Sequence, residues 1–113
     1  MIVSIASIEG ANIVGWNSFH DEFHRVFQFP DFYGRNMDAW IDCMSSLDDE
    51  ADGLSGIHVE PGGVLTLEIV NARAFKAAAP AQFDALVECA AFVNWRRLKT
   101  GRRGAVLALS FDV

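Results

Sequence analysis

Cysteine is scarce in this chain. Its 113 residues contain two, Cys43 and Cys89, both in segments that read as helices and neither in a CxxC or Cys/His spacing. Neither a disulfide framework nor a zinc site is indicated, so reduced core thiols are expected. Proline is limited to three residues and tyrosine to Tyr33 alone. No apolar run approaches the ~20 residues that a membrane span requires. Met1 to Ile8 carries neither the basic region nor the cleavage site of a signal peptide, so the expectation is a cytoplasmic protein with no membrane partner. Low-complexity stretches, internal repeats and linkers are missing too, which predicts a single domain over 1–113.

Two kinds of chemistry are also missing. No glycine-rich phosphate loop is present, because Glu60-Pro61-Gly62-Gly63 precedes a strand instead of a helix. Ser4, Ser7, Ser18 and Ser110 lie in no nucleophile elbow, and neither cysteine has an evident base. No cofactor and no catalytic residue is expected.

What is present is enough apolar residues for a single core and an uneven charge. Hydrophobic residues make up 51% and charged residues 21%, a globular balance that argues against disorder. The formal net charge is −6, but residues 1–60 hold eleven acids and two bases whereas residues 61–113 hold four acids and seven bases. An acidic half repels nucleic acid and attracts basic partners, chiefly through the rate of association.

In chain order, Met1–Ile8 reads as a strand with apolar residues on both alternating faces, suited to burial on both sides. A helix over 17–28 is expected to be capped by Asn17 or Ser18, with Trp16, Phe19, Phe23, Val26 and Phe27 as its apolar stripe. His20 and His24 stand one turn apart, a spacing that can hold a metal, but no third ligand is evident and exposed helical histidines are the plainer expectation. Residues 45–63 read as a long loop rich in Asp, Ser and Gly. Asp48, Asp49, Glu50 and Asp52 follow a helix C-terminus, where the dipole disfavours anions, which points to a role beyond the helix. Val64–Val70 is a strand, and Asn71 is placed to cap a short helix over 72–78. Pro80 suits the first turn of a longer helix ending near Leu98. Arg96, Arg97 and Lys99 fall in its last turn, where cations are favoured, before Gly101. With Trp95, Arg102 and Arg103 they also make a candidate nucleic-acid patch. Ala105–Leu109 reads as a final buried strand. The order β-α-α-β-α-α-β predicts an α/β fold, a small three-stranded parallel sheet packed with about four helices.

The stretch Phe29–Met44 stands apart. Pro30 and Gly34 punctuate an aromatic loop in which Gly34 can take a positive φ, and Asn36 is placed to cap a short helix. At about 100° per residue, Trp40, Cys43, Met44 and Leu47 share one face while Asp38, Asp42 and Ser45 share another. Carboxylates at i and i+4 repel, so this pair weakens the helix that carries it. An acid/base pair for glycoside hydrolysis is disfavoured, since both lie on one turn of one helix and not on opposite walls of a cleft.

Phe32-Tyr33-Gly34-Arg35-Asn36-Met37-Asp38-Ala39-Trp40-Ile41-Asp42-Cys43-Met44 resembles the signature segment of the barstar family, inhibitors of the ribonuclease barnase, whose pattern is aromatic-Tyr-Gly-x-Asn-Leu-Asp-Ala-hydrophobic-x-Asp-Cys-Leu. The likeness runs without a gap from about Val3 to Ser45 and continues more loosely to the last strand. It implies a barstar-like fold and an intracellular, bacterial, immunity- or antitoxin-type ribonuclease inhibitor, not an enzyme, acting as a monomer in a 1:1 complex. It further implies that Asp42 plugs the basic nuclease site, that Asp38 pairs with a neighbouring cation, and that Phe32, Gly34, Asn36, Met37, Ile41 and Ser45 shape the contact. Phe32 stands in place of a tyrosine, Arg35 of an acid and Ile41 of a large aromatic. Asn94-Trp95-Arg96-Arg97 is basic where the family is acidic. These departures point to a toxin nuclease other than barnase. The alternative reading is a regulatory or nucleic-acid-associated module that uses the Arg96–Arg103 patch.

Overall fold

The structure, a computed structural model, describes every residue except Arg103. Its elements are β1 (Ile5–Glu9), α1 (Trp16–Phe27), α2 (Met37–Ser45), β2 (Leu65–Val70), α3 (Ala72–Ala78), α4 (Pro80–Lys99) and β3 (Leu107–Ser110), with single 3-10 turns at Gly10–Asn12 and Glu50–Asp52. The strands form one parallel sheet in the order β1-β2-β3. The α/β class and the β-α-α-β-α-α-β order expected from the sequence are both found.

Register explains which strand residues fold inward. Ala6 sits opposite Leu67, which sits opposite Leu109; Ile8 pairs with Ile69, and Leu65 with Leu107. These are the residues that pack against or within the core, whereas Ile5, Glu68, Val70, Ala108 and Ser110 are exposed. Both helical crossovers therefore cover the same face of the sheet, and its other face is open. This corrects two expectations: β1 is not covered on both sides, and β3 is an edge strand of which only Leu107 is fully buried. The core lies between the covered face and the helices, built from Phe19, Phe23, Phe27, Trp40 and Phe75, all fully buried. Phe23 meets Trp40 edge-on at 5.5 Å, which ties α1 to α2.

Helix ends follow tertiary contacts as often as local signals. Helix α1 starts one residue after Gly15, not at Asn17 or Ser18, and the Ser18 hydroxyl instead accepts from the Val14 and Gly15 amides at 2.9 and 3.1 Å. Asn71 does not cap α3 with its side chain; it adopts φ 53 and donates to both oxygens of Glu9. Gly10 is required by space, since a Cβ there would lie 2.6 Å from the Val70 carbonyl oxygen and 2.8 Å from that of Asn71. The 45–63 segment is a loop, but a pinned one. Ile57, His58 and Val59 are buried, His58 bridges to Ile2, and the Val59 amide donates to Leu47 O at 2.9 Å.

Candidate functional site

The loop before α2 turns on its own aromatics. Phe29 stacks on Phe27 at 5.8 Å and lies 4.6 Å from Tyr33, and the Tyr33 amide closes a turn onto Pro30 O at 2.9 Å. Tyr33 Oη shares a 2.6 Å hydrogen bond with His20 Nδ1 inside α1. With Phe29 and Tyr33 turned inward, Phe32 is left 76% exposed.

His20 is thus a buried anchor, contrary to the expectation of an exposed helical histidine. Burial, with the charge of Arg35, lowers its pKa, against a smaller opposing effect of Asp21. Its imidazole also stacks with Trp16 at 6.0 Å, and its Nδ1 is already bonded to Tyr33. Among the described residues no cluster of three or more His, Cys, Asp or Glu side chains is placed to hold a metal ion.

Gly34 was expected to supply a positive φ, but Arg35 does so, at 52°. The strain is offset by anchorage: Arg35 donates to Asn17 O at 3.0 Å and reaches Asp21 Oδ1 at 2.9 Å. At Gly34 an added Cβ would lie 3.3 Å from the side-chain Nδ2 of the capping Asn36. Asn36 caps α2 as expected, accepting from the Ala39 amide at 2.8 Å.

Helix α2 divides as its periodicity requires. Trp40, Cys43 and Met44 are buried, Met37, Ile41 and Ser45 are half-buried, and Asp38 and Asp42 are exposed. The Cys43 thiol is pushed up to about 11 by burial and then by the Asp42 charge, so it remains a protonated packing residue. Phe32, Gly34 and Asn36, in the loop before α2, are each exposed too.

The contacts that α4 makes beside α2 were not legible in the sequence. Arg96 Nη2 reaches Asp42 Oδ1 at 3.4 Å and donates to Ser45 Oγ at 2.8 Å. Arg97, expected on a basic surface patch, is 3% exposed. It holds both Asp48 oxygens at 2.8 and 3.0 Å, donates to Gly104 O at 2.8 Å, and donates to Ser45 O at 3.0 Å. Arg102 adds a 3.7 Å contact to Asp48. Burial pushes the Asp48 carboxyl up, but the hydrogen bonds and charge of Arg97, with backbone hydrogen bonds from Gly62 and Asp48 itself, together outweigh it and hold the group below its usual range. Asp48 is thus the internal partner of Arg97, and the role beyond its own helix that the sequence pointed to is a pairing with α4. Asp52 is likewise engaged, accepting from Ser46 Oγ at 2.7 Å. The Arg96–Arg103 patch is not a continuous cationic track, because Arg96 and Arg97 are each paired with a carboxylate; Arg103 lies outside the described residues.

A three-stranded parallel sheet, open on one face and backed by four helices of which α2 displays two carboxylates, defines a barstar-like α/β protein. The chain belongs to that family: residues 3–107 match the family described as Barstar (barnase inhibitor). It is also 40% identical over 38 residues to the Bacillus subtilis (strain 168) protein named "Putative ribonuclease inhibitor YrdF". That stretch is 34% of this chain and spans 42% of the relative's length.

Proposed function

We propose that this chain inhibits a ribonuclease by inserting the Phe32–Asn36 loop and the acidic face of α2 into the nuclease's basic active site. The observation that carries the reading is the display of Asp38 and Asp42 on one exposed helical turn while Trp40, Cys43 and Met44 lock the opposite side into the core. A nuclease site is cationic because it binds a polyanion, so two carboxylates held on a rigid helix can occupy the positions of phosphates. Asp42 is the principal plug and Asp38 the second anion. Phe32 supplies an aromatic contact at the loop tip, and Gly34, Asn36, Met37, Ile41 and Ser45 set the shape around them. Most of the conformational ordering is complete before binding, since the cap, the Tyr33–His20 bond and the Trp40 anchor already fix the loop and helix. The proposed complex is 1:1 with a toxin-type nuclease domain, in the manner of an immunity protein or antitoxin, and needs no cofactor.

The test is inhibition of a panel of purified secreted ribonucleases, barnase included, on a fluorogenic RNA. At least one is expected to be inhibited stoichiometrically by the wild-type chain, and Asp42→Ala is expected to weaken that inhibition at least about 30-fold, the size of an interface hot spot. Failure to inhibit any member, or equal inhibition by Asp42→Ala, would overturn the reading.

A further inference from the structure

Phe92 and Trp95 are 42% and 53% exposed on α4, with ring centroids 5.8 Å apart. Each carries a cation: Arg96 lies 5.8 Å from the Phe92 ring centre and Lys99 5.8 Å from that of Trp95. The same Arg96 guanidinium reaches Asp42. The aromatic ledge is therefore continuous with the acidic surface of α2 through one side chain. Beside that side chain a cavity of about 500 Å3 is lined by Asp42, Ser45, Arg96 and Arg102 among others.

We infer that this ledge is the second half of the docking surface, and that the nuclease meets it with a carboxylate directed at Arg96 and Lys99 and an apolar side chain laid on Phe92 and Trp95. The inference rests on the ribonuclease-inhibitor reading and adds the charge pattern of the partner. An Asp42 committed to a nuclease cation no longer needs Arg96, and a guanidinium released at a closed interface requires another anion. A carboxylate of the partner, entering the cavity between Arg96 and Arg102, completes that exchange. The partner face is thus mixed: cationic opposite α2, acidic opposite α4. A single-stranded RNA, which also stacks on aromatics beside cations, fits less well. Its phosphates would meet Asp42 beside Arg96, and Arg97 is already held by Asp48.

The sign of one substitution separates the possibilities. Arg96→Ala is made beside Trp95→Ala and Asp42→Ala and scored against the panel nuclease that the wild-type chain inhibits most tightly, with circular dichroism to confirm folding. If the partner presents a carboxylate, Arg96→Ala and Trp95→Ala each weaken inhibition about tenfold or more. If Arg96 is only an internal counterion, its removal frees Asp42, and inhibition is unchanged or tighter. That result, with Asp42→Ala still weakened at least about 30-fold, overturns this inference and leaves the inhibitor reading standing. Loss of both readings is marked by the absence of any inhibited nuclease. Retention of a labelled oligouridylate by the wild-type chain at low salt, abolished by Trp95→Ala, would instead assign the ledge to nucleic acid and overturn the proposal.

Discussion

Truncating Arg97 and truncating Asp42 have opposite consequences, although both are charged residues of neighbouring helices. Arg97→Ala leaves Asp48 largely buried without its bidentate partner and frees the Ser45 and Gly104 carbonyls. It is expected to lower unfolding free energy by about 3 kcal/mol, read from urea denaturation. Asp42→Ala removes a 3.4 Å pair whose carboxylate is 65% exposed. Stability is expected to stay within about 0.5 kcal/mol of wild type in the same measurement. A large loss for Asp42→Ala would place that residue in the fold instead of the interface. His20 gives a pH dependence with a definite sign. Its folded pKa is lowered from 6.5, so below that value the unfolded chain binds the proton more readily than the folded one. Stability is complete above about pH 6.5 and declines as pH falls toward the folded value. Comparing urea midpoints at pH 7.5 and 5.5 should show this fall in the wild type and a smaller one in His20→Gln. Working above pH 5 keeps Glu22 and Asp48 out of the comparison, since both are held below their ordinary carboxyl range.

Elements show where local chemistry suffices. The cap of α2 was legible because Asn36 bonds the amide three residues on, a contact that needs nothing distant. Asn36→Ala is therefore expected to cost about 1 kcal/mol in chemical denaturation and to weaken inhibition further by loosening the first turn. The caps of α1 and α3 were not legible. Asn71 has the composition of a cap, yet its amide is taken by Glu9, 62 residues away. The turn after β1 shows the converse: Gly10 reads as an ordinary turn glycine, and only the assembled sheet brings the Val70 and Asn71 carbonyls against it. Gly10→Ala must push backbone against backbone, and a loss of about 2 kcal/mol or more is expected, read as a drop in melting temperature.

Across the whole molecule the charge separation seen in the sequence is partly cancelled by folding. The α4 cations Arg96 and Arg97 are brought against the acids of α2 and the loop after it, so the exposed acidic field is narrower than the composition suggests. Association with a basic nuclease is still expected to be steered. Stopped-flow mixing should show an on-rate that falls as salt rises while the off-rate changes little. An on-rate insensitive to salt would remove the electrostatic part of the proposed mechanism. The open sheet face was missed because Ile2, Val3, Ile5 and Ile8 alternate no polarity that would distinguish inside from outside. What leaves Ile5 exposed is that both crossovers pack on one side.

The sequence by itself determined the element order, the division of α2 into an anchored and a displayed face, and the exposure of Asp38 and Asp42. These depend on helical period, strand length and contacts within one turn. Tertiary structure alone decided that His20 locks Tyr33, that Arg97 belongs to Asp48, and that Arg96 stands beside Asp42. The partners in the last two pairs lie 49 and 54 residues apart, and both pairings exist only because α2 and α4 pack side by side. Periodicity tells which way a side chain points from its own helix, but not which side chain meets it from the next.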